Sequence, residues 1–254
     1  MEGYNCNKVV EQRLRELGVK EGDILLVHAS LKSLGQPELK AELVIKGIEA
    51  ILGEKGTLLM PALTYKQVDG YENDIFSIKD TESEVGMLSE CFRKMPGVVR
   101  SLHPTHSVCA RGRFAQELVG NHYMDNTPCG PNSPYRLIKE MGGQILLIGC
   151  GLEKNTSMHG VEELINPEYL FGDMIEYKLY NVNREKSYRG YRIHNFANVN
   201  QRYDRLQEVL VEGTEIKKAT VFDAECYLIN AKAMWKKAYD TMKEDEMFFV
   251  ETRA

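Results

Sequence analysis

QILLIGCGLEKNTSMHGVEE, residues 144–163, decides how this chain is read. The apolar run at 145–148, closed by Gly149 and Gly151, suits a central strand buried on both faces, where no alternation of apolar and polar positions is needed. Asn155, Thr156 and Ser157 are helix N-cap types, and Met158, Val161, Leu164 and Ile165 then recur at helical spacing. His159 and Glu162 stand three apart and so share one face of that helix. Open α/β sheets receive ligands where a strand ends and a helix begins. The pair therefore reads either as an imidazole with an orienting carboxylate or as a capping histidine beside solvated helix charges.

Outward from this stretch, the whole chain frames the choice. Its 254 residues can bury a sizeable core, and 43% hydrophobic with 27% charged residues is the balance of a globular protein. A net charge of −5 without a basic block argues against nucleic acid or an anionic membrane as partner. No apolar run approaches the ~18 residues of a membrane span, and the amphipathic opening does not resemble a signal peptide, so a cytoplasmic protein is expected. Cys6, Cys91, Cys109, Cys129, Cys150 and Cys226 show no CxxC spacing, which signals neither a disulfide framework nor a cysteine zinc site. Cys150 is the one cysteine placed to matter, at the end of the central strand.

Taken in order, a helix over 8–17 precedes a short buried strand at 24–27, then a hydroxyl-rich turn with Ser30 and Ser33, and a helix over 37–52. A second apolar strand, 57–63, ends in Thr64. Residues 66–80 lack a period and read as a long surface loop. Thr81 to Glu84 offers a capping box for a helix running to Met95. His103 and His106 flank Pro104, which denies them a helix, and no zinc-specific spacing is present, so no metal is expected. A helix over 114–119 and a proline-rich loop lead to Ser133, a cap for a helix over 135–141. Residues 177–196 look like antiparallel strands with one wet face. Helices over 203–211 and 222–243, the latter capped by Asp223, complete the chain. The expectation is one α/β domain over 1–254: an α/β/α sandwich around a largely parallel or mixed sheet, with an antiparallel C-terminal subdomain or insertion at about 177–200. Loops at 28–35, 103–107 and 155–163 each follow a buried strand and can meet at one sheet edge.

The series VHASLKSLG (27–35), GTLLMPALTY (56–65), SLHPTHSVCARG (101–112), TPCGPNSPYRLI (127–138) and NTSMHGVEE (155–163) resembles the aminoglycoside N3-acetyltransferase family. Five blocks in matching order are far more specific than any one of them, and they span about residues 18–167. The resemblance implies an acetyl-CoA dependent N-acetyltransferase acting on an amine, the 3-amino group of an aminoglycoside first of all. It places His159 and Glu162 on the catalytic histidine and its partner, with the adjacent Glu163 an alternative partner. It also places Ser30, Leu31, Lys32, Ser33, Leu34 and Gly35 on the segment holding coenzyme A. His103, Ser107 and Ser133 fall near the cofactor, and Thr64 by the acyl group. A homodimer is allowed.

These residue types suit the chemistry. A protonated amine is a poor nucleophile, so a base must take a proton as the thioester is attacked. His159 is assigned as base and Glu162 as its orienting group. Thr64, His103 or a backbone N–H are candidate donors to the oxyanion. Asp69, Glu72, Asp74, Glu162, Glu163 and Glu168 could meet a cationic acceptor, and the departure of 66–80 from the family pattern leaves another amino sugar or a nucleoside amine open as substrate. Three further readings stand beside this one: a zinc hydrolase using His103, His106 and His159, a coenzyme A binding module without catalysis, and a ping-pong enzyme acylated on Cys150.

Overall fold

The computed structural model describes residues 2–253, with side chains from residue 7 onward. The strands are β1 (Ile24–Ala29), β2 (Thr57–Pro61), β3 (Ile75–Ser77), β4 (Val99–Arg100), β5 (Val108–Gly112), β6 (Gln144–Ile148), β7 (Phe171–Tyr180), β8 (Lys186–His194), β9 (Val199–Gln201), β10 (Ile216–Val221), β11 (Ala224–Asn230) and β12 (Val250–Thr252). The helices are α1 (Glu2–Leu17), α2 (Ala41–Leu52), α3 (Met87–Lys94), α4 (Ala115–Val119), α5 (Pro134–Glu140), α6 (Met158–Ile165), α7 (Leu206–Val209) and α8 (Ala231–Glu244).

Seven strands form one sheet in the order β10-β11-β6-β1-β2-β5-β4. Its centre, β6-β1-β2, is parallel, and the strands on both flanks are antiparallel, so the sheet is mixed. In β1, Ile24 and Leu26 pack into one hydrophobic layer while Leu25 and Val27 pack into the other. β6 divides in the same way, with Ile145 and Leu147 opposed to Leu146 and Ile148. Because both faces are covered, these strands carry unbroken apolar runs at 24–27 and 145–148. Helices α1, α2 and α3 cover one face through residues such as Leu14, Ile45 and Phe92, and α4, α5, α6 and α8 cover the other through Leu118, Tyr135, Val161 and Trp235. This is the expected α/β/α sandwich.

Several local expectations are corrected. The expected helix over 222–243 is two elements: strand β11 pairs antiparallel with β6, and only from Ala231 does the chain turn helical. Asp223 sits in the β10–β11 turn, and the helix cap is Asn230, whose side chain accepts from Ala233 N at 2.9 Å. The capping box at 81–84 caps nothing. Thr81 instead accepts from Ser77 N at 2.9 Å, and α3 begins six residues later. Nor is 66–80 merely surface, since Val68 and the β3 residue Phe76 are fully buried against Tyr177, Leu179 and Tyr191. β3 runs parallel to β7, and β7 pairs antiparallel with β8, so the small second sheet is mixed. β9 and β12 form a separate two-stranded ribbon. The helix expected over 37–52 starts at Ala41, and that over 203–211 shortens to a turn followed by α7.

Candidate active site

Adjacent parallel strands β1 and β6 end on the same side of the sheet, at the floor of a cleft of about 1420 Å³. That is where the topology exposes strand ends and helix starts together. The turn after β1 is tied to β6 by Ser30 N donating to Ile148 O at 2.9 Å, and Ser33 Oγ donates to Ser30 Oγ at 2.8 Å. Gly35 ends this turn at φ +67°, and a Cβ there would collide with the carboxylate of Asp223. Only glycine meets both demands without strain.

His159 lies in the first turn of α6 and lines the cleft with 12% of its side chain exposed. Its Nδ1 is 3.1 Å from Glu162 Oε2 and 2.9 Å from the hydroxyl of Tyr203. Tyr203 donates to Glu162 Oε2 at 2.7 Å, and Tyr169 donates to Oε1 at 3.2 Å. Two phenols and an imidazole thus satisfy a carboxylate that is completely buried, as a charge so placed requires. With Tyr203 spending its hydrogen on Glu162, Nδ1 of His159 carries the ring proton, and Nε2 keeps its lone pair on the cleft side.

Glu163 has a different set of partners. It accepts from Cys129 N at 2.7 Å and Thr127 Oγ1 at 2.6 Å, and it pairs with His194 Nε2 at 2.9 Å. Burial pushes its carboxyl up to about 7. Adjacent glutamates on one helix therefore serve two histidines, and the partner of His159 is Glu162. His194 comes from the end of β8, a strand whose tyrosines and arginines read as a solvated face. Both His194 and Tyr203 lie far from the site in sequence, and neither carried a local signal.

Of the other residues singled out by sequence, Ser30, Leu31, Lys32 and Gly35 line the cleft. Leu34 points into the core, and Ser133 caps α5 by accepting from Arg136 N at 3.3 Å. Thr64 is fully buried, with its one hydroxyl hydrogen committed to Pro104 O. Ser107 Oγ donates to Ala62 O at 2.8 Å and accepts from Arg100 Nε at 2.9 Å, which makes it a brace between strand ends. His103 lies beneath the cleft wall, stacked on His122 at 4.7 Å, with Nδ1 accepting from the backbone of Thr105 and His106. It does not converge with His106 and His159; the third histidine of that group is His194. Of the six acids considered for a cationic acceptor, Asp69 lines the cleft, and its Oδ1 accepts from the backbone of Tyr71, Glu72 and Asn73. Cys150 also lines the cleft, but burial pushes its thiol up to about 12. His28, on the cleft floor, is pushed down to about 3, chiefly by burial. The five cysteines with described side chains are free thiols; Cys6 lies outside them.

The family model described as aminoglycoside 3-N-acetyltransferase matches residues 26–243, which takes in every element of the cleft floor. The chain belongs to this family. The aminoglycoside N(3)-acetyltransferase VII of Streptomyces paromomycinus is 30% identical over 219 residues, 80% of this chain and 74% of that protein. A type IV enzyme of Salmonella is 32% identical over 159 residues, 62% of this chain and 58% of its own length. Among solved structures, a histidine-to-alanine mutant of aminoglycoside acetyltransferase AAC(3)-IVa, in complex with a gentamicin, superposes with TM-score 0.78 at 26% identity, covering 94% of this chain and 89% of that one. AAC-IIIb in its binary complex with CoASH shares the fold, with TM-score 0.80 at 22% identity over 94% and 96% of the two chains. No described helix is long and apolar enough to cross a membrane.

Proposed function

We propose that this chain transfers the acetyl group of acetyl-CoA to an amine, the 3-amino group of an aminoglycoside, with His159 as general base. One observation carries the reading: the cleft-lining imidazole whose Nδ1 is held by buried Glu162 and Tyr203 while Nε2 is left free. The names of the relatives supply the substrate class, and the match over 26–243 supplies the reaction class.

In the proposed step the acceptor amine attacks the thioester carbonyl as Nε2 of His159 takes one of its protons. The new N–C bond forms, the tetrahedral intermediate collapses, the C–S bond breaks, and the imidazolium returns its proton to the departing thiolate. Glu162 stabilises that imidazolium through Nδ1, so its contribution is greatest when the charge is present. Lys32, Lys40 and Lys154 line the same cleft and can meet the phosphates of coenzyme A, while the turn at 30–35 would lie along the pantetheine. Thr64, with its hydroxyl hydrogen already engaged inside the wall, and His103, which lies beneath the wall and does not line the cleft, are poor sources of the oxyanion donor; a backbone N–H at the strand ends is better placed. Residues 1–254 act as one acyltransferase domain in this reading, with the β7–β8 ribbon as a cleft wall. A need for acetyl-CoA fits a cytoplasmic setting.

The test is release of free thiol from acetyl-CoA with a panel of aminoglycosides and simpler amines. His159→Ala should lose transfer yet still bind acetyl-CoA. Near-normal turnover by that variant would remove the assignment, and turnover of none of the panel would remove the substrate.

A further inference from the structure

Three histidines from three separate elements converge on the cleft: His106 from the loop before β5, His159 from α6 and His194 from the end of β8. One ring nitrogen of each lies within 4.8 Å of those of the other two. The rings are mutually edge-on, with centroids 5.2 to 6.0 Å apart.

In each ring the nitrogen facing away from the group is already spoken for. Nδ1 of His106 pairs with Thr105 Oγ1 at 2.9 Å, Nδ1 of His159 with Glu162 and Tyr203, and Nε2 of His194 with Glu163 Oε1 at 2.9 Å. That leaves Nε2, Nε2 and Nδ1. Among the described residues the last has no partner, although the His194 side chain is only 3% exposed. A buried imidazole nitrogen without a partner points to a ligand. The outer ring matches what metal-binding histidines use, since carboxylates behind two of the three fix the tautomer and raise ligand basicity. All three rings line the cleft, so an ion has a route in and a fourth position remains open to it.

We propose that His106, His159 and His194 form a binding site for a divalent late first-row metal ion, zinc above all, and that an ion held there blocks acetyl transfer. Neutral imidazoles with no thiolate in the set suit zinc, and donors grouped on one side of an open position suit its tetrahedral habit. At ~2.1 Å per bond the donors stand about 3.4 Å apart, so the rings must draw together by up to about 1.4 Å. The blocking half rests on the reading of His159 as base, because the ion takes the lone pair that would accept the proton.

Equilibrium dialysis of the tag-free chain against zinc chloride, at pH 7.5, tests the site without any need for turnover. One zinc per chain is expected, with affinity falling at least tenfold in His106→Ala and in His194→Gln. Glu163→Gln, which alters only the outer ring, should weaken binding about 10- to 100-fold. Acetyl-CoA binding and the melting temperature show that each variant is folded. Cobalt substituted for zinc should give the strong visible absorption of a tetrahedral site. No bound zinc, or stoichiometric zinc that both histidine variants leave unchanged, overturns the site. Zinc should inhibit transfer, reversibly with a chelator, and bound zinc that leaves the wild-type rate unchanged overturns the blocking. Stoichiometric zinc in a chain that acetylates no amine upholds the site and counts against the transferase reading alone.

Discussion

Tyr203 donates its hydroxyl to Glu162 Oε2 at 2.7 Å across 41 positions of sequence. The Tyr203 hydroxyl oxygen also lies 2.9 Å from Nδ1 of His159, so the phenol bridges imidazole and carboxylate. Tyr203→Phe removes one donor from a buried carboxylate and one acceptor from the imidazole. A hydrogen bond to a charged group contributes about 1.5–3 kcal/mol, so kcat should fall roughly ten- to a hundredfold. KM for acetyl-CoA should stay unchanged, because the phenol touches the base and not the cofactor turn. Steady-state kinetics in both substrates read this split, and an unaltered kcat would show that Glu162 alone orients the ring.

The neighbouring glutamates should separate cleanly. Glu162→Gln weakens the stabilisation of the imidazolium and should cost on the order of a hundredfold in kcat, within the range general-base assistance spans. Glu163 is held near neutrality by burial, and glutamine mimics a protonated carboxyl. Glu163→Gln should therefore lower kcat by less than about tenfold while loosening the loop that Thr127 and Cys129 anchor. The reverse ranking would give the orienting role to Glu163.

A thiol pushed up to about 12 is about one part in 10⁵ thiolate at neutral pH. Cys150→Ser should accordingly retain kcat within about twofold, and incubation with acetyl-CoA alone should leave the protein unmodified in intact-mass measurement. An acetyl adduct that disappears in the serine variant would establish a ping-pong route instead.

Stability should decline on mild acidification. Burial pushes His122 from its ordinary 6.5 down to about 4, and His28, His103, His106 and His194 move in the same direction. An unfolded chain takes up protons on these rings below pH 6.5 while the native one does not, so stability is full above 6.5 and is lost as pH falls towards 4. The shift of His122 alone corresponds to about 3 kcal/mol at the lower end. Glu163, raised to about 7, and Asp125, also raised by burial, work the other way as two groups against five. Melting temperatures from pH 8 to 4 should be flat at first and then fall below about 6.5. A profile flat down to pH 4.5 would contradict the neutral, buried histidines.

The strand at 144–148 and the helix bearing His159 were legible because burial on both faces and a 3.6-residue period leave local marks. β11 was not. Its buried run, flanked by Asp223 and Asn230, has the look of a capped helix, and only pairing with β6 shows it to be a strand. Glu162 and Glu163 stand three and four residues beyond His159, so helical geometry allows either. The choice was made by Tyr203 on one side and by Thr127, Cys129 and His194 on the other, contacts between segments distant in sequence. Thr64 and His103 stand where family blocks suggested chemistry, yet the Thr64 hydroxyl is spent on Pro104 O and His103 lies beneath the wall, outside the cleft lining, a matter of side-chain direction that no spacing reveals.

The turn at 30–35 leaves β1 and the base-bearing helix follows β6, and these strands are direct hydrogen-bonded neighbours. The two segments therefore start one inter-strand spacing apart, ~4.8 Å, a length set by backbone hydrogen bonds and indifferent to side-chain identity. If the acetyl donor lies along that turn, as proposed, acceptor preference can change in the cleft wall, around Asp69 and at the end of β8, without moving either strand end. A scaffold of this kind separates what is acetylated from how, and it offers a protein engineer a substrate wall to rewrite over a reaction axis that stays in register.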